Sequence, residues 1–281
     1  RRWRHVGLVS AMTIETAPVP HIALLGFGAS GRDLCSKLLA CRCQITVLLR
    51  EGASAPDQPP RGVRFVNDVN ALLASKPSVV VEAAGQDALK AFCPVFLEAG
   101  IDVIAASVGV IGDADFEQRA AEAGQKSGAR LIFPTGAVGG LDYLHVVAQA
   151  EDLSVVYTSR KPVSAWVAEL ESLGFDPQTL SEAVLLYEGD ALRAAELYPR
   201  NLNAGLTIAL AAGVARTAVR VVADPAVLFN THEIEARSSF GEAFMRFANL
   251  PSPDNPKTSA ITAASLLIEA TRYFAERLAP A

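Results

Sequence analysis

His21-Ile-Ala-Leu-Leu-Gly26-Phe-Gly28-Ala29-Ser30-Gly31 decides the fold, because a short apolar run passes directly into glycines spaced G-x-G-x-x-G and then into a helical pattern. In such a turn Gly26 permits the tight reversal, Gly28 lets backbone approach a pyrophosphate, and Gly31 lets the helix pack on the strand. The helix start at Ala29 and Ser30 adds free N–H groups and partial positive charge. Gly26, Gly28, Ala29, Ser30 and Gly31 are therefore the candidate dinucleotide cradle. Glycines alone would describe any Gly-rich turn; the surrounding β-α-β pattern makes this one specific. The next strand pattern ends Leu48-Leu49-Arg50-Glu51. Arg50 suits the 2′-phosphate of NADP, and Glu51 keeps the ribose hydroxyls of NAD in play, so use of either cofactor is expected. Arg50 reads equally well as a solvated surface cation.

Working outward, β-branched runs alternate with helical stretches, the rhythm of a parallel sheet covered by helices. Ile22 to Gly26, Ile45 to Leu49, Val79 to Ala83, Val103 to Ala106 and Arg130 to Phe133 read as strands. Ser30 to Ala40, Asp87 to Ala99 and Asp113 to Ser127 read as helices, with Gly100 and Gly128 at helix ends. This predicts an α/β class, a doubly wound Rossmann domain over residues 21–134. After Pro134 the glycines Gly136, Gly139 and Gly140 crowd one turn, and the later strands alternate inside and outside residues. A smaller, mainly antiparallel α+β domain over 135–281 is expected. Its strands are Asp152 to Ser159, Val184 to Glu188, Val219 to Ala223, Asn230 to Arg237 and Phe240 to Phe247, with helices at Asp190 to Leu197 and Leu202 to Ala212. Asn255-Pro256 reads as an N-cap followed by the first position of a last helix over Lys257 to Leu278, able to pack back on the first domain.

Composition narrows the function classes. The 281 residues are 51% hydrophobic and carry a formal charge of −5, with no basic footprint for nucleic acid. No apolar stretch reaches the roughly 20 residues that cross a bilayer. Arg1 to His5 and the brief apolar Val6 to Met12 fall short of a signal sequence, so residues 1–20 read as a lead-in segment. Cys35, Cys41, Cys43 and Cys93 have no histidine at metal-ligand spacing, so no metal site and a reducing, cytoplasmic setting are expected.

Phe133-Pro-Thr-Gly-Ala-Val-Gly-Gly-Leu-Asp142, Tyr157-Thr-Ser-Arg-Lys-Pro162, Pro199-Arg-Asn-Leu-Asn203, Asn230-Thr-His-Glu-Ile234 and Asn255-Pro-Lys-Thr-Ser259 stand in one order behind the Gly-rich turn. Together they resemble the L-aspartate dehydrogenases over roughly residues 21–278. The resemblance implies NAD(P)-dependent oxidative deamination of L-aspartate to iminoaspartate, which hydrolyses to oxaloacetate and ammonia, or the reverse amination, in some organisms feeding NAD biosynthesis. It also implies that Ala137 and Asn203 contact the cofactor and that His232 is the active-site histidine. The connection Ala211 to Thr217 is about one residue shorter than the family pattern, and the Trp-bearing N-terminus matches no part of it.

Read without the resemblance, each of these residues has a plainer home. The three glycines serve as a domain-crossing turn, and Asn201 and Asn203 as a helix N-cap region. Strand alternation puts His232, Ile234 and Ala236 on one face, where a histidine sits partly buried with one ring nitrogen satisfied. Aspartate has two carboxylates and calls for cations or helix N-termini. The candidates are Arg160 and Lys161 at a strand end, and Lys257 with Thr258 and Ser259 opening the last helix; each also reads as a solvated charge or capping hydroxyl. Two-domain reductases of the homoserine dehydrogenase or dihydrodipicolinate reductase kind, and a catalytically inactive dinucleotide sensor, remain alternatives. The second lacks its paired-His and lysine motif here. A homodimer is expected, the commonest soluble assembly.

Overall fold

The computed structural model describes residues 19–198, 202–252 and 255–278. Residues 1–18, most of the lead-in, lie outside that range. So do 199–201, the start of the Pro199 motif together with Asn201.

The first half alternates strand and helix. In order come β1 (His21–Leu25), α1 (Ala29–Ala40), β2 (Gln44–Leu48), β3 (Val63–Val66), α2 (Val69–Ala74), β4 (Val79–Glu82), α3 (Gln86–Glu98), β5 (Asp102–Ala105), α4 (Ala114–Ser127) and β6 (Leu131–Ile132). All neighbours pair in parallel, in the order β3-β2-β1-β4-β5-β6. Strands such as Val79–Glu82 are buried along their whole length because helices cover both faces of the sheet. β3 and α2 were not legible in the sequence: Val-Arg-Phe-Val alternates at a sheet edge, and α2 is only six residues long, capped by Asp68.

The second half contains α5 (Leu141–Val147), β7 (Ser154–Lys161), α6 (Val167–Ser172), β8 (Val184–Asp190), α7 (Ala191–Leu197), α8 (Asn203–Ala212), β9 (Thr217–Ala223), β10 (Asn230–Ser238) and β11 (Gly241–Asn249). The sheet order is β11-β10-β7-β9-β8, antiparallel except for β7 with β9. One face buries Val155, Tyr157, Val219, Val221 and Ile234 against α8 and Trp166. The other face carries ion pairs such as Arg220 to Glu188 at 2.8 Å.

Behind β11 the chain departs from expectation. Asn255–Ser259 is not the start of the last helix. It forms β13, paired antiparallel with β12 (Pro251–Ser252), and α9 runs from Ile261 to Leu278. The Asn-Pro signal is overridden because the segment folds back on the end of the preceding hairpin, where the Ala260 N–H donates to Leu250 O at 2.9 Å. Asn255 therefore caps no helix. α9 buries Leu266, Ala270 and Tyr273 in one cluster with Ile22, Leu24, Leu34 and Leu38 of β1 and α1. The Tyr273 hydroxyl donates to Ser78 O at 3.0 Å, fastening the last helix to the first sheet.

Candidate active site

A cleft of about 300 Å³ opens between the two sheets. Its lining comes from every part of the chain: Ser30 from α1, Ala83 to Gly85 after β4, Ala105 to Val108 after β5, Gly136 and Ala137 from the crossing turn, and Lys161, Asn203, His232 and Ser259 from the second half. The C-terminal ends of parallel strands are the usual ligand edge of such a sheet.

The glycine turn fits a dinucleotide. Gly26 has φ +96°, and a Cβ there would meet Ala84 Cβ at 2.6 Å, so neither conformation nor space admits another residue. A Cβ on Gly31 would run into the Gly26 carbonyl, whereas Gly28 faces open space that a pyrophosphate can approach. Gly28 is the N-cap of α1 and no side chain caps that first turn, which leaves the N–H groups of Ala29, Ser30 and Gly31 for an anion. Arg50 is exposed, just beyond the end of β2, and is not among the residues lining the cleft.

The crossing turn is fastened from both sides. Asn249 Nδ2 donates to Ala137 O at 2.7 Å, and Gly136 N donates to Ser265 Oγ of α9 at 2.9 Å. Asn203 makes no cap: Leu202 is the N-cap of α8, with no side-chain hydrogen bond. Asn203 Oδ1 instead accepts from Gly109 N at 3.2 Å, linking α8 to the turn after β5.

On the facing wall, sheet register assembles the polar groups. Tyr157, Ser159 and Lys161 alternate onto one face of β7, and His232 on β10 pairs with Ser159, which brings it to the same face. The Tyr157 hydroxyl and His232 Nδ1 are 2.7 Å apart and share a hydrogen bond. That bond engages Nδ1, while Nε2 is buried with no hydrogen-bond partner among the described residues. His232 lines the cleft and is only 5% exposed. Burial first, and then the nearby positive charge of Lys161, lower its pKa from 6.5 to about 4. The ring is therefore neutral at physiological pH. Burial pushes the Tyr157 phenol up, which keeps its hydroxyl protonated. Lys161 is buried too, with Nζ 5.4 Å from the centre of the Trp166 ring.

Arg160 goes the other way. It is one residue from Lys161 and so faces the opposite side of the sheet, where it pairs with Asp224 at 2.9 Å and Glu233 at 3.2 Å. The structure does not bring it into the cleft lining, because strand alternation sends adjacent residues to opposite faces. Lys257 and Thr258 lie on β13, ahead of α9, and their side chains lie outside the described residues. Ser259 and Thr262 from the same stretch do line the cleft.

Three positions that hold the cleft's backbone escaped the sequence reading. Asn249 and Ser265 hold the crossing turn, and nothing in their neighbourhoods marks them. Glu82 is different, being the one acidic residue closing an otherwise apolar strand, Val79-Val-Val-Glu82. Its carboxylate accepts hydrogen bonds from backbone that lines the cleft.

Comparison with known proteins agrees with this geometry. The family model described as aspartate dehydrogenase, C-terminal, matches residues 142–273, and the NAD-binding domain of homoserine dehydrogenase matches residues 26–134. An L-aspartate dehydrogenase of Bordetella bronchiseptica is 44% identical over 258 residues, covering 90% of this chain and 97% of that protein. The chain belongs to the L-aspartate dehydrogenase family. A second member, from Brucella anthropi, is 35% identical over 88% of this chain and 93% of its own length. The crystal structure of aspartate dehydrogenase from Thermotoga maritima superposes with a TM-score of 0.72 at 26% identity, covering 93% of this chain and 98% of that one. Family membership favours the amino-acid enzyme over the other two-domain reductases, and the family cofactor is NAD or NADP. Among the described residues no helix is long and apolar enough to cross a membrane.

Proposed function

We propose that the chain catalyses the NAD(P)-dependent oxidative deamination of L-aspartate to iminoaspartate, and hence to oxaloacetate and ammonia, or the reverse amination. One observation carries the reading: His232, whose buried Nε2 has no hydrogen-bond partner among the described residues, lines the same cleft as Ser30 of the dinucleotide turn. When bound, the dinucleotide exchanges hydride with the substrate α-carbon. Gly26, Gly28, Ala29, Ser30 and Gly31 hold its pyrophosphate, Ala137 and Asn203 flank its reactive end, and Arg50 meets a 2′-phosphate. Lys161 binds one substrate carboxylate, while Lys257, Thr258 and the polar groups beside them bind the other. Arg160, already held by two carboxylates, has no part in this scheme.

His232 exchanges a proton with the substrate nitrogen and with the water that opens the imine. A group with pKa near 4 is a poor base at neutral pH, but two incoming carboxylates favour the charged imidazole and move its pKa toward the working range. The neutral ring of the empty cleft thus becomes a better proton acceptor once aspartate is in place. The free cysteines suit a cytoplasmic enzyme, and a homodimer is the assembly we infer. The test is oxidation of NADH and NADPH by oxaloacetate, with and without ammonia. Ammonia-dependent turnover is expected. Turnover with oxaloacetate alone would indicate an alcohol-forming reductase, and none with any oxo acid a sensor.

A further inference from the structure

Glu82 ends β4 at the centre of the first sheet, in register with Leu25 of β1 and Ala105 of β5. It is fully buried. Its Oε1 accepts from Ala84 N at 2.7 Å, Gly85 N at 2.7 Å and Ser107 Oγ at 2.9 Å, and its Oε2 accepts from Ser107 N at 3.0 Å. Those donors belong to two separate turns, one leaving β4 and one leaving β5, and both turns line the cleft. Ala84 is also the residue against which Gly26 of the dinucleotide turn is packed.

We propose that Glu82 is a positioning residue for the dinucleotide, its carboxylate clamping the turns after β4 and β5 into one wall of the cofactor cleft. The donor set tells which form of the side chain does this. An ionised carboxylate accepts from all four donors, whereas a protonated one can direct its O–H only at Ser107 Oγ, the single group of the four that also accepts. Burial is the larger effect and holds the carboxyl's pKa above its ordinary value, while the hydrogen bonds from Gly85, Ala84 and Ser107 offset part of that rise. Two of those donors, Ala84 N and Gly85 N, stand at the start of α3, where the helix end favours negative charge. A glutamine in this position keeps the shape and loses part of the match, since in either orientation its amide NH2 faces at least one backbone N–H from which it cannot accept.

The proposal is separate from the chemistry assigned to His232 and rests only on the cleft being the cofactor's. Fluorescence titration of NADH and NADPH, together with thermal unfolding, tests it in wild type, Glu82→Gln and Ser107→Ala. Glu82→Gln is expected to weaken dinucleotide binding about tenfold or more, and Ser107→Ala about threefold, in proportion to the donors disturbed. With cofactor saturating, the KM for L-aspartate should move less than about twofold, which a general loosening of the fold would not allow. A folded Glu82→Gln enzyme that binds the dinucleotide as wild type does would overturn the proposal. If Glu82→Gln does not fold, Ser107→Ala decides, and unchanged binding in that variant overturns it equally. Failure of the wild type to bind either dinucleotide would instead strike the cofactor reading itself.

Discussion

On the dinucleotide side of the cleft the polar groups are main-chain N–H donors at the start of α1, shaped by what Gly26, Gly28 and Gly31 leave out. The facing wall offers side chains instead: His232, Tyr157 and Lys161, drawn from two strands about 70 residues apart in sequence and brought to one face by register. The glycine turn of the first wall is local, built by eleven consecutive residues from His21 to Gly31, and the turns after β4 and β5 complete that wall. The second exists only when β7 and β10 pair. Cofactor binding should therefore fail through changes that disturb the backbone of its wall, at the glycines or at the Glu82 clamp, and turnover through changes at His232 that leave cofactor binding intact.

The largest effect that can break this contrast is expected at Gly31. Gly31→Val drives a side chain into the Gly26 carbonyl and should cost at least about 3 kcal/mol of stability by denaturant unfolding, together with dinucleotide binding. Gly28→Ala points into open space, so its fold should hold while NADH affinity falls about tenfold. Equal damage from the two would mean that the turn is only a packing feature.

Next comes the buried imidazole. Its folded-state pKa, about 4, lies below the ordinary 6.5. A depressed pKa means that the stability is fully present above pH 6.5 and is lost as pH falls toward 4, because the unfolded chain takes up the proton first. The loss amounts to about 3 kcal/mol. His232→Asn should lack this part of the pH dependence. Superimposable stability curves between pH 7 and pH 4 would contradict the burial of a neutral ring.

A smaller effect separates the two faces of β7. Lys161→Met keeps a side chain of similar length and removes the charge beside Trp166, and should raise the KM for L-aspartate about tenfold, with NADH binding unchanged. Arg160→Met breaks pairs with Asp224 and Glu233 on the far face and should move that KM less than about threefold. The reverse ranking would put carboxylate recognition on the outer face.

How much could be read in advance follows from the same contrast. The parallel sheet and the glycine turn were legible because their signals are contiguous: an apolar strand, glycines at fixed spacing, a helix start. His232 and Lys161 were visible as candidates, yet Arg160 looked equal to Lys161 until strand register assigned them to opposite faces. The Asn255-Pro256 signal misled, since local capping chemistry says nothing of a hairpin closing behind it. Asn203 also reads locally as a cap, but its amide is taken by Gly109, 94 positions away in the chain. Long-range partners of this kind leave no local mark.

The most direct measurement compares His232→Ala with wild type in two assays on the same preparation, NAD(P)H binding by fluorescence and steady-state turnover of oxaloacetate with ammonia. Binding should stay within about twofold, and turnover should fall about 100-fold or more, the range of a lost acid–base group. Turnover close to wild type with intact binding would contradict the account and make His232 an ordinary core residue.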